Sequence, residues 1–446
     1  LSDISAQDFS LQADTLNEAR LPAQWDLQSC IDYALEQNIT IRKNRVTAES
    51  TQIDVKTAKA ALFPSLSFST SQQVVNRPYQ ETSSRVSGSE IISSNSKTSY
   101  NGNYGLNASW TIYNGSKRLK TLKQERLNNQ VAELDVATSE NMIKESIAQI
   151  YIQILYAAES VRVNENTLQV SIAQRDRGQE LLNAGSIAKS DFAQLEAQVS
   201  TDRYQLVTAQ ATLQDYKLQL KQLLELDGEN EMNVYLPKLS DENVLAPLPA
   251  KKDVYVSALA IRPEIEASKL NVEASELGID IAKSSYFPTI SLSAGIGTNH
   301  TSGSDFTFGE QVKNGWNNSI GLSVSVPIFN NRQTKSAVQK AKLQRETDML
   351  SLLDEQKALY KTIESLWLDA NSAQQRYAAA NEKLRSTQIS YDLISEQFNL
   401  GMKNTVELLT EKNNLLQAQQ EQLQAKYMAI LNTQLLKFYQ GDKLTL

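Results

Sequence analysis

Apolar and polar residues alternate one by one in several stretches, which is the pattern of a β-strand with a single apolar face. Residues 65–70 read SLSFST and residues 289–294 read TISLSA. Each stretch follows a proline, Pro64 or Pro288, which lacks a backbone donor and marks the turn from helix into strand. The alternation predicts four strands, at residues 64–76, 99–112, 288–298 and 318–328.

The second face of these strands is small and uncharged, being mostly Ser, Gly and Asn. Alternation alone fits hairpins packed on a soluble core. It also fits outer-membrane strands whose apolar face meets lipid while the other face lines water. Aromatic residues at the strand ends favour the membrane interpretation, because membrane barrels carry aromatic girdles at their interfaces. The predicted girdle consists of Phe63, Trp110, Tyr113, Tyr286, Phe287 and Phe329.

An internal duplication sets the predicted domain organisation. ALFPSLSFS in the first half returns as SYFPTISLS in the second, and NAG at 183–185 returns as NLG at 399–401. We predict a first repeat at residues 1–226, a connector at 227–252 and a second repeat at 253–446. In each repeat a helix leads into two strands joined by a polar loop, followed by a long helix and a return helix. These last helices are predicted at 116–184, 188–226, 332–400 and 404–440.

The two long helical segments contain no proline, and each would form a rod of about 100 Å at 1.5 Å per residue. Such helices are expected to coil together. In the return helix, apolar residues recur every seventh position from Phe192 to Leu220, and the companion positions are apolar except at Asp202. The remaining faces are polar, which indicates helices solvated on two sides, as in a hollow tube.

Gly185 and Gly401 stand where a helix C-terminus needs the left-handed conformation, so we predict turns there, at the ends of the rods opposite the strands. Four strands per chain cannot close a barrel, and an open edge in lipid would leave unpaired amides. Several copies must therefore share one barrel: two copies give 8 strands and three give 12. The sequence does not choose between them.

The composition excludes most metal-dependent, redox and histidine-dependent sites. Among 446 residues there is one cysteine, Cys30, and one histidine, His300, which lies in a predicted loop, so neither a zinc site nor a Cys-His dyad is possible. The 51 acidic residues outnumber 44 basic ones, which excludes a nucleic-acid footprint. Ser186 to Lys189 matches an S-x-x-K motif without its companion motifs. We expect no catalytic residues, metal or cofactor.

From Leu27 to Gly441 the chain resembles the TolC family of bacterial outer-membrane efflux proteins. The features that carry the resemblance are the duplicated order of helices and strands, the Phe-Pro turns, the Arg262-Pro263-Glu264 sequence and the Asn-x-Gly turns. The resemblance implies an α+β membrane protein whose two repeats give four strands per protomer to a shared β-barrel, 12-stranded in a trimer. A long coiled-coil α-helical barrel continues it into the periplasm. The implied function is a passive exit duct of a tripartite efflux system in the outer membrane.

The implied partners are further copies in a homotrimer, outer-membrane lipid, a periplasmic membrane-fusion adaptor and an inner-membrane pump of the RND or ABC type. The family also closes its periplasmic mouth beside the second turn. By position, the resemblance assigns this gate to Asp191, Phe398, Lys403 and Glu407. Thr410 occupies the place of a second acidic gate residue. Candidate adaptor contacts at the turns are Asn183, Gly185, Ser186, Asn399 and Gly401.

Two local explanations of Glu407 stay open at this stage. Asn404 and Glu407 have capping-box spacing, and Lys403 and Glu407 have the spacing of a solvated helix pair. A competing hypothesis for the whole chain is a soluble coiled-coil scaffold whose hairpins dock on a partner. Extraction distinguishes the two, because a scaffold stays in the aqueous fraction without detergent.

Overall fold

The computed structural model describes residues 22–79, 83–87, 90–94, 97–227, 232–237, 244–302, 304 and 306–445. The predicted connector and the first repeat therefore lie partly outside the described residues. The elements, in chain order, are α1 (Leu27–Gln37), α2 (Ile39–Ala60), β1 (Ser65–Asn76), β2 (Ser83–Ser87), β3 (Glu90–Ser94), β4 (Thr98–Asn114), α3 (Lys117–Asn183), α4 (Lys189–Leu223), α5 (Lys251–Ile261), α6 (Pro263–Lys283), β5 (Thr289–Thr301), α7 (Phe308–Asn314), β6 (Asn317–Ser325), α8 (Gln333–Asn399) and α9 (Thr405–Gln440).

The chain forms two compact units, and each unit draws on both predicted repeats. The first comprises Leu1–Val46, Leu134–Glu266 and Asp354–Leu446. The second comprises Thr47–Glu133 and Ala267–Leu353. The first unit contains both helix turns, and the second contains the four-stranded sheet.

The sheet of the second unit is antiparallel throughout, in the order β1-β4-β5-β6. Strand β4 pairs with both β1 and β5, so the two halves of the chain meet in one sheet. Strands β1 and β6 are its edges. Strand β6 ends at Ser325 and not at residue 328, because Pro327 has no N–H to continue the ladder.

The polar loops predicted between paired strands carry structure of their own. In the second half, α7 begins at a capping box in which Glu310 accepts from the Thr307 amide at 2.8 Å. In the first half, β2 and β3 pair antiparallel. His300 is not in a loop: it lies in β5 opposite Gly102 and stacks on Tyr104 with ring centroids 5.9 Å apart.

The first unit has a helical core made from α1, α3, α4 and α9. Its largest fully buried side chains include Tyr151, Ile154 and Leu220. The single helix predicted before the first strand is divided into α1 and α2 at Asn38, whose extended backbone interrupts the helical run. Over the described residues, no helix combines the length and apolar composition needed to cross a bilayer.

Candidate functional site

The two helix turns of the first unit have the same backbone geometry. Gly185 has φ of 72° and Gly401 has φ of 74°. At the first turn Ser186 N donates to Leu181 O at 2.8 Å, and at the second Met402 N donates to Gln397 O at 2.8 Å. These are six-to-one bonds of the Schellman type, which satisfy carbonyls left over at a helix C-terminus. The repeated Asn-x-Gly sequence therefore encodes a repeated turn.

Glu407 is held by both local interactions that its spacing predicted. Its amide donates to Asn404 Oδ1 at 2.9 Å, and its carboxylate accepts from the Asn404 amide at 3.2 Å. Lys403 Nζ donates to the other carboxylate oxygen at 2.6 Å. The lysine hydrogen bond first, and the Asn404 amide second, hold the pKa of Glu407 below its usual range. The carboxylate is thus kept charged beside the turn.

Asp191 has a weaker version of the same arrangement. Its carboxylate accepts from the Ala188 amide at 3.3 Å, but Ala188 has no side-chain acceptor to complete the box. Thr410, at the place of the second acidic gate residue, donates its hydroxyl to the Val406 carbonyl at 2.8 Å. Each turn therefore presents one partly exposed carboxylate at the start of its return helix.

The aromatic gate candidate, Phe398, is only 3% exposed. The turn that follows it is apolar and exposed instead, with Leu400 at 75% and Met402 at 70%. The five candidate adaptor contacts at the two turns are all exposed: Asn183, Gly185, Ser186, Asn399 and Gly401. Among the described residues, and apart from the adjacent backbone, no atom lies within 4 Å of a Cβ placed on either glycine. The structure thus brings Lys403 and Glu407 together and leaves Phe398 in the helical packing.

The sheet of the second unit has one apolar and one polar face in cross-strand register. One apolar row runs through Phe68, Leu106 and Ile296, which are 67%, 39% and 39% exposed. The neighbouring polar row runs through Ser67, Asn107, Gly295 and Ser319. A Cβ on Gly295 would lie 3.0 Å from Ser319 Oγ, so the polar face is packed closely around its small residues. Over the residues that the structure describes, nothing covers the apolar face of this sheet.

The predicted girdle residues all lie within four residues of a strand end and are 36% exposed or more: Phe63, Trp110, Tyr113, Tyr286, Phe287 and Phe329. Two side chains donate hydrogen bonds to carbonyl groups at the end of α2, just before Pro64. Trp110 Nε1 donates to Leu62 O at 2.8 Å, and Arg118 donates to Ala61 O at 2.7 Å. The helix-to-strand turn at Pro64 is thereby tied to β4 and α3. At Pro288, a short 3₁₀ turn over Ser284–Tyr286 precedes β5.

One cluster near the turns was not predicted. Ser171 on α3, Asp202 on α4 and Lys412 on α9 form a hydrogen-bonded group that we call the Lys412 triad. The sequence carried a signal for it, since Asp202 is the one interruption of the heptad in α4. Its partner on α9 is 210 residues away, so spacing gave no means of finding it.

Comparison with known proteins identifies the family. A sequence profile described as "Outer membrane efflux protein" matches residues 30–225 and 254–441. The efflux protein BepC of Brucella suis is 25% identical, covering 66% of this chain and 61% of the relative. TolC of Escherichia coli is 24% identical, covering 73% and 66%. The chain thus spans less than two thirds of the length of these relatives.

A crystal structure of CusC superposes with a TM-score of 0.79 at 19% identity, covering 94% of this chain and 92% of the other. At this identity the likeness establishes the fold. The predicted fold class, a protomer that combines barrel strands with long channel helices, is confirmed. With more than half of its length matched by the profile, the chain belongs to the outer membrane efflux protein family.

Proposed function

We propose that this protein is the outer-membrane exit duct of a tripartite efflux or export system, a passive channel without chemistry of its own. The observation that carries the proposal is the sheet: four strands with an uncovered apolar face, a small polar face and two free edges. A free strand edge in hydrocarbon would leave unpaired backbone amides at a prohibitive cost in free energy. The strands of several copies must therefore complete one ring. Family membership supports three copies, with lipid on the apolar face.

The helix turns are proposed to form the periplasmic gate of the duct. In a threefold assembly, Glu407 and Asp191 would each be repeated as a ring of carboxylates, which favours cations and can be plugged by them. Lys403 would moderate the Glu407 ring, because it is bonded to that carboxylate. Phe398 would contribute by packing and not by lining the aperture, since it is 3% exposed.

The exposed residues of both turns are proposed contacts for a periplasmic membrane-fusion adaptor, which would join the duct to an inner-membrane pump of the RND or ABC type. Asn183, Ser186 and Asn399 offer hydrogen-bonding groups there, and the two glycines offer open backbone. The cargo would be selected by the pump.

Planar-bilayer recording tests the proposal. The protein extracted with detergent from outer membranes should run as a heat-sensitive oligomer and conduct single-channel current. Leu106→Lys, at the centre of the apolar face, should block assembly, whereas Asn107→Ser on the polar face is the matched control and should conduct. A chain that stays in the aqueous fraction without detergent and never conducts would overturn the proposal in favour of a soluble scaffold.

A further inference from the structure

The Lys412 triad is a hydrogen-bonded ionic group inside the helical packing of the first unit. Lys412 and Asp202 are each 3% exposed and Ser171 is 2% exposed. Lys412 Nζ donates to Asp202 Oδ2 and to Ser171 Oγ, and the serine hydroxyl donates to the same carboxylate oxygen. Gln198 Nε2 donates to the second carboxylate oxygen at 2.9 Å. Three helices, α3, α4 and α9, therefore meet at one charge pair.

Buried apolar residues flank the triad along two of its helices. Leu195 and Val199 on α4, and Leu408 and Leu415 on α9, lie within two turns of the charged residues. Burial lowers the pKa of Lys412, and the neighbouring carboxylate of Asp202 opposes that shift. Replacing a buried ion pair by well-packed apolar residues is often neutral or stabilising, so stability alone does not account for this one.

What a buried charge pair adds is specificity. A heptad seam of similar apolar residues allows helices to slide by whole repeats, whereas a buried polar contact is satisfied in only one register. The contact between the two charges also has two states. Partial separation in an apolar setting would leave both charges without partners, so the ion pair is either formed or fully separated with water around both charges.

The triad lies close to the proposed gate along the same helix. Lys412 is five residues beyond Glu407, about 7.5 Å along α9 at 1.5 Å per residue, with no break between them. A shift or rotation of the α9 backbone at Lys412 would therefore move the first turn of α9, which carries Glu407 and adjoins Lys403.

We propose that the Lys412 triad is a latch that fixes the register of α9 against α3 and α4 and so positions the gate turn in the closed state. This rests on the proposed gate function. Opening then separates Lys412 from Asp202 and lets water reach both charges. Lys412, Asp202 and Ser171 are positioning residues, since the proposed aperture is lined by other side chains.

Single-channel recording of purified oligomers tests the latch. Asp202→Asn and Lys412→Met should each raise the fraction of time open about tenfold, because the remaining buried partner is stranded in the closed state. The exchange of both charges, Asp202→Lys with Lys412→Asp, should restore wild-type closure, since the Ser171 hydroxyl both donates and accepts. Ser171→Ala keeps both charges, so it should raise the fraction of time open above wild type, but by less than the charge variants do. It provides the test if the charge variants do not assemble.

The matched control is Lys383→Met, which breaks an exposed ion pair of α9 with a different helix, α8. Lys383 lies 2.7 Å from Glu421, and both side chains are 42% exposed. Lys383→Met should leave gating unchanged. The double variant Asp191→Ala with Glu407→Ala reports on the gate itself in the same bilayers. If that variant opens while the triad variants gate like wild type and still run as the heat-sensitive oligomer, the latch is overturned and the gate stands. If no preparation conducts, the proposed function fails and the latch fails with it.

Discussion

Lys403 Nζ donates to Glu407 Oε1 at 2.6 Å, so the carboxylate proposed to line the gate has its counter-charge one helical turn away. The lysine is the largest cause of the lowered pKa of Glu407. A carboxylate with a lowered pKa stays charged below the ordinary glutamate value of 4.5 and is neutralised only as pH falls through the lowered pKa. Removing the lysine moves that transition to higher pH.

Lys403→Met should therefore have two effects on ion selectivity. At neutral pH the channel should become more cation-selective, because a positive charge leaves each gate turn. On acidification, selectivity should be lost at a higher pH than in wild type. Reversal potentials across a salt gradient, from neutral to acidic pH, measure both. Lys403→Arg keeps the charge and should follow wild type, and a transition that does not move in Lys403→Met contradicts the assignment of Glu407.

Asp191→Ala combined with Glu407→Ala should raise the single-channel conductance severalfold, because both proposed carboxylate rings are removed. Thr410→Ala is the control, since the Thr410 hydroxyl is bonded to its own helix and should not affect the current. Unchanged conductance in the double variant would return both carboxylates to a purely helix-capping role.

Gly115 and Gly185 both have positive φ, but only Gly115 is closely packed. Comparing their alanine variants therefore separates the cost of backbone strain from the cost of a close contact. A Cβ on Gly115 would lie 2.7 Å from the Ser284 carbonyl oxygen, whereas nothing lies within 4 Å of one on Gly185. An alanine in the left-handed region costs about 1 kcal/mol at either site. Gly115→Ala should lose about 3 kcal/mol in total, because the backbone must also shift. Denaturant unfolding of the two variants compares them, and equal losses would contradict the close approach at Gly115.

Arg262 is a buried anchor in the first unit. It donates to Glu145 at 2.7 Å, and its guanidinium lies 3.6 Å from the ring centroid of Tyr439. A lysine cannot keep both the bond and the stacking, so Arg262→Lys should lower the free energy of unfolding by about 2 kcal/mol. Arg345→Lys is the control, because the Arg345 pair with Glu276 is exposed and should contribute less than about 0.5 kcal/mol. If Arg262→Lys and Arg345→Lys unfold at the same denaturant concentration, Arg262 is not a buried anchor.

The elements with local signals were predictable. Alternating residues located the strands, and Asn-x-Gly located both turns, because a helix stop needs only the residues around it. The same holds for the cap on Glu407, where both local explanations are present together. The shared sheet followed from the patterning of its faces, but the pairing of β4 with β5 joins residues about 190 positions apart and needed the structure.

Short elements and long-range contacts could not be predicted from the sequence, for physical reasons. The seven residues of α7 give too few turns for a periodic signal, although the Thr307 capping box marks its start. The end of β6 depends on Pro327, which lies inside the strand that alternation predicts at residues 318–328. The Lys412 triad was invisible because Ser171 and Lys412 are 241 residues apart, and Asp202 alone showed only a gap in a heptad.

The central claim is that the uncovered apolar face of the sheet meets lipid in a barrel completed by neighbouring copies. Cryo-electron microscopy of the detergent-purified oligomer tests it most directly. The account predicts β1 of one protomer paired with β6 of the next, with Phe68 and Leu106 on the outer surface. A sheet covered by helices, or a ring closed within one chain, would contradict it.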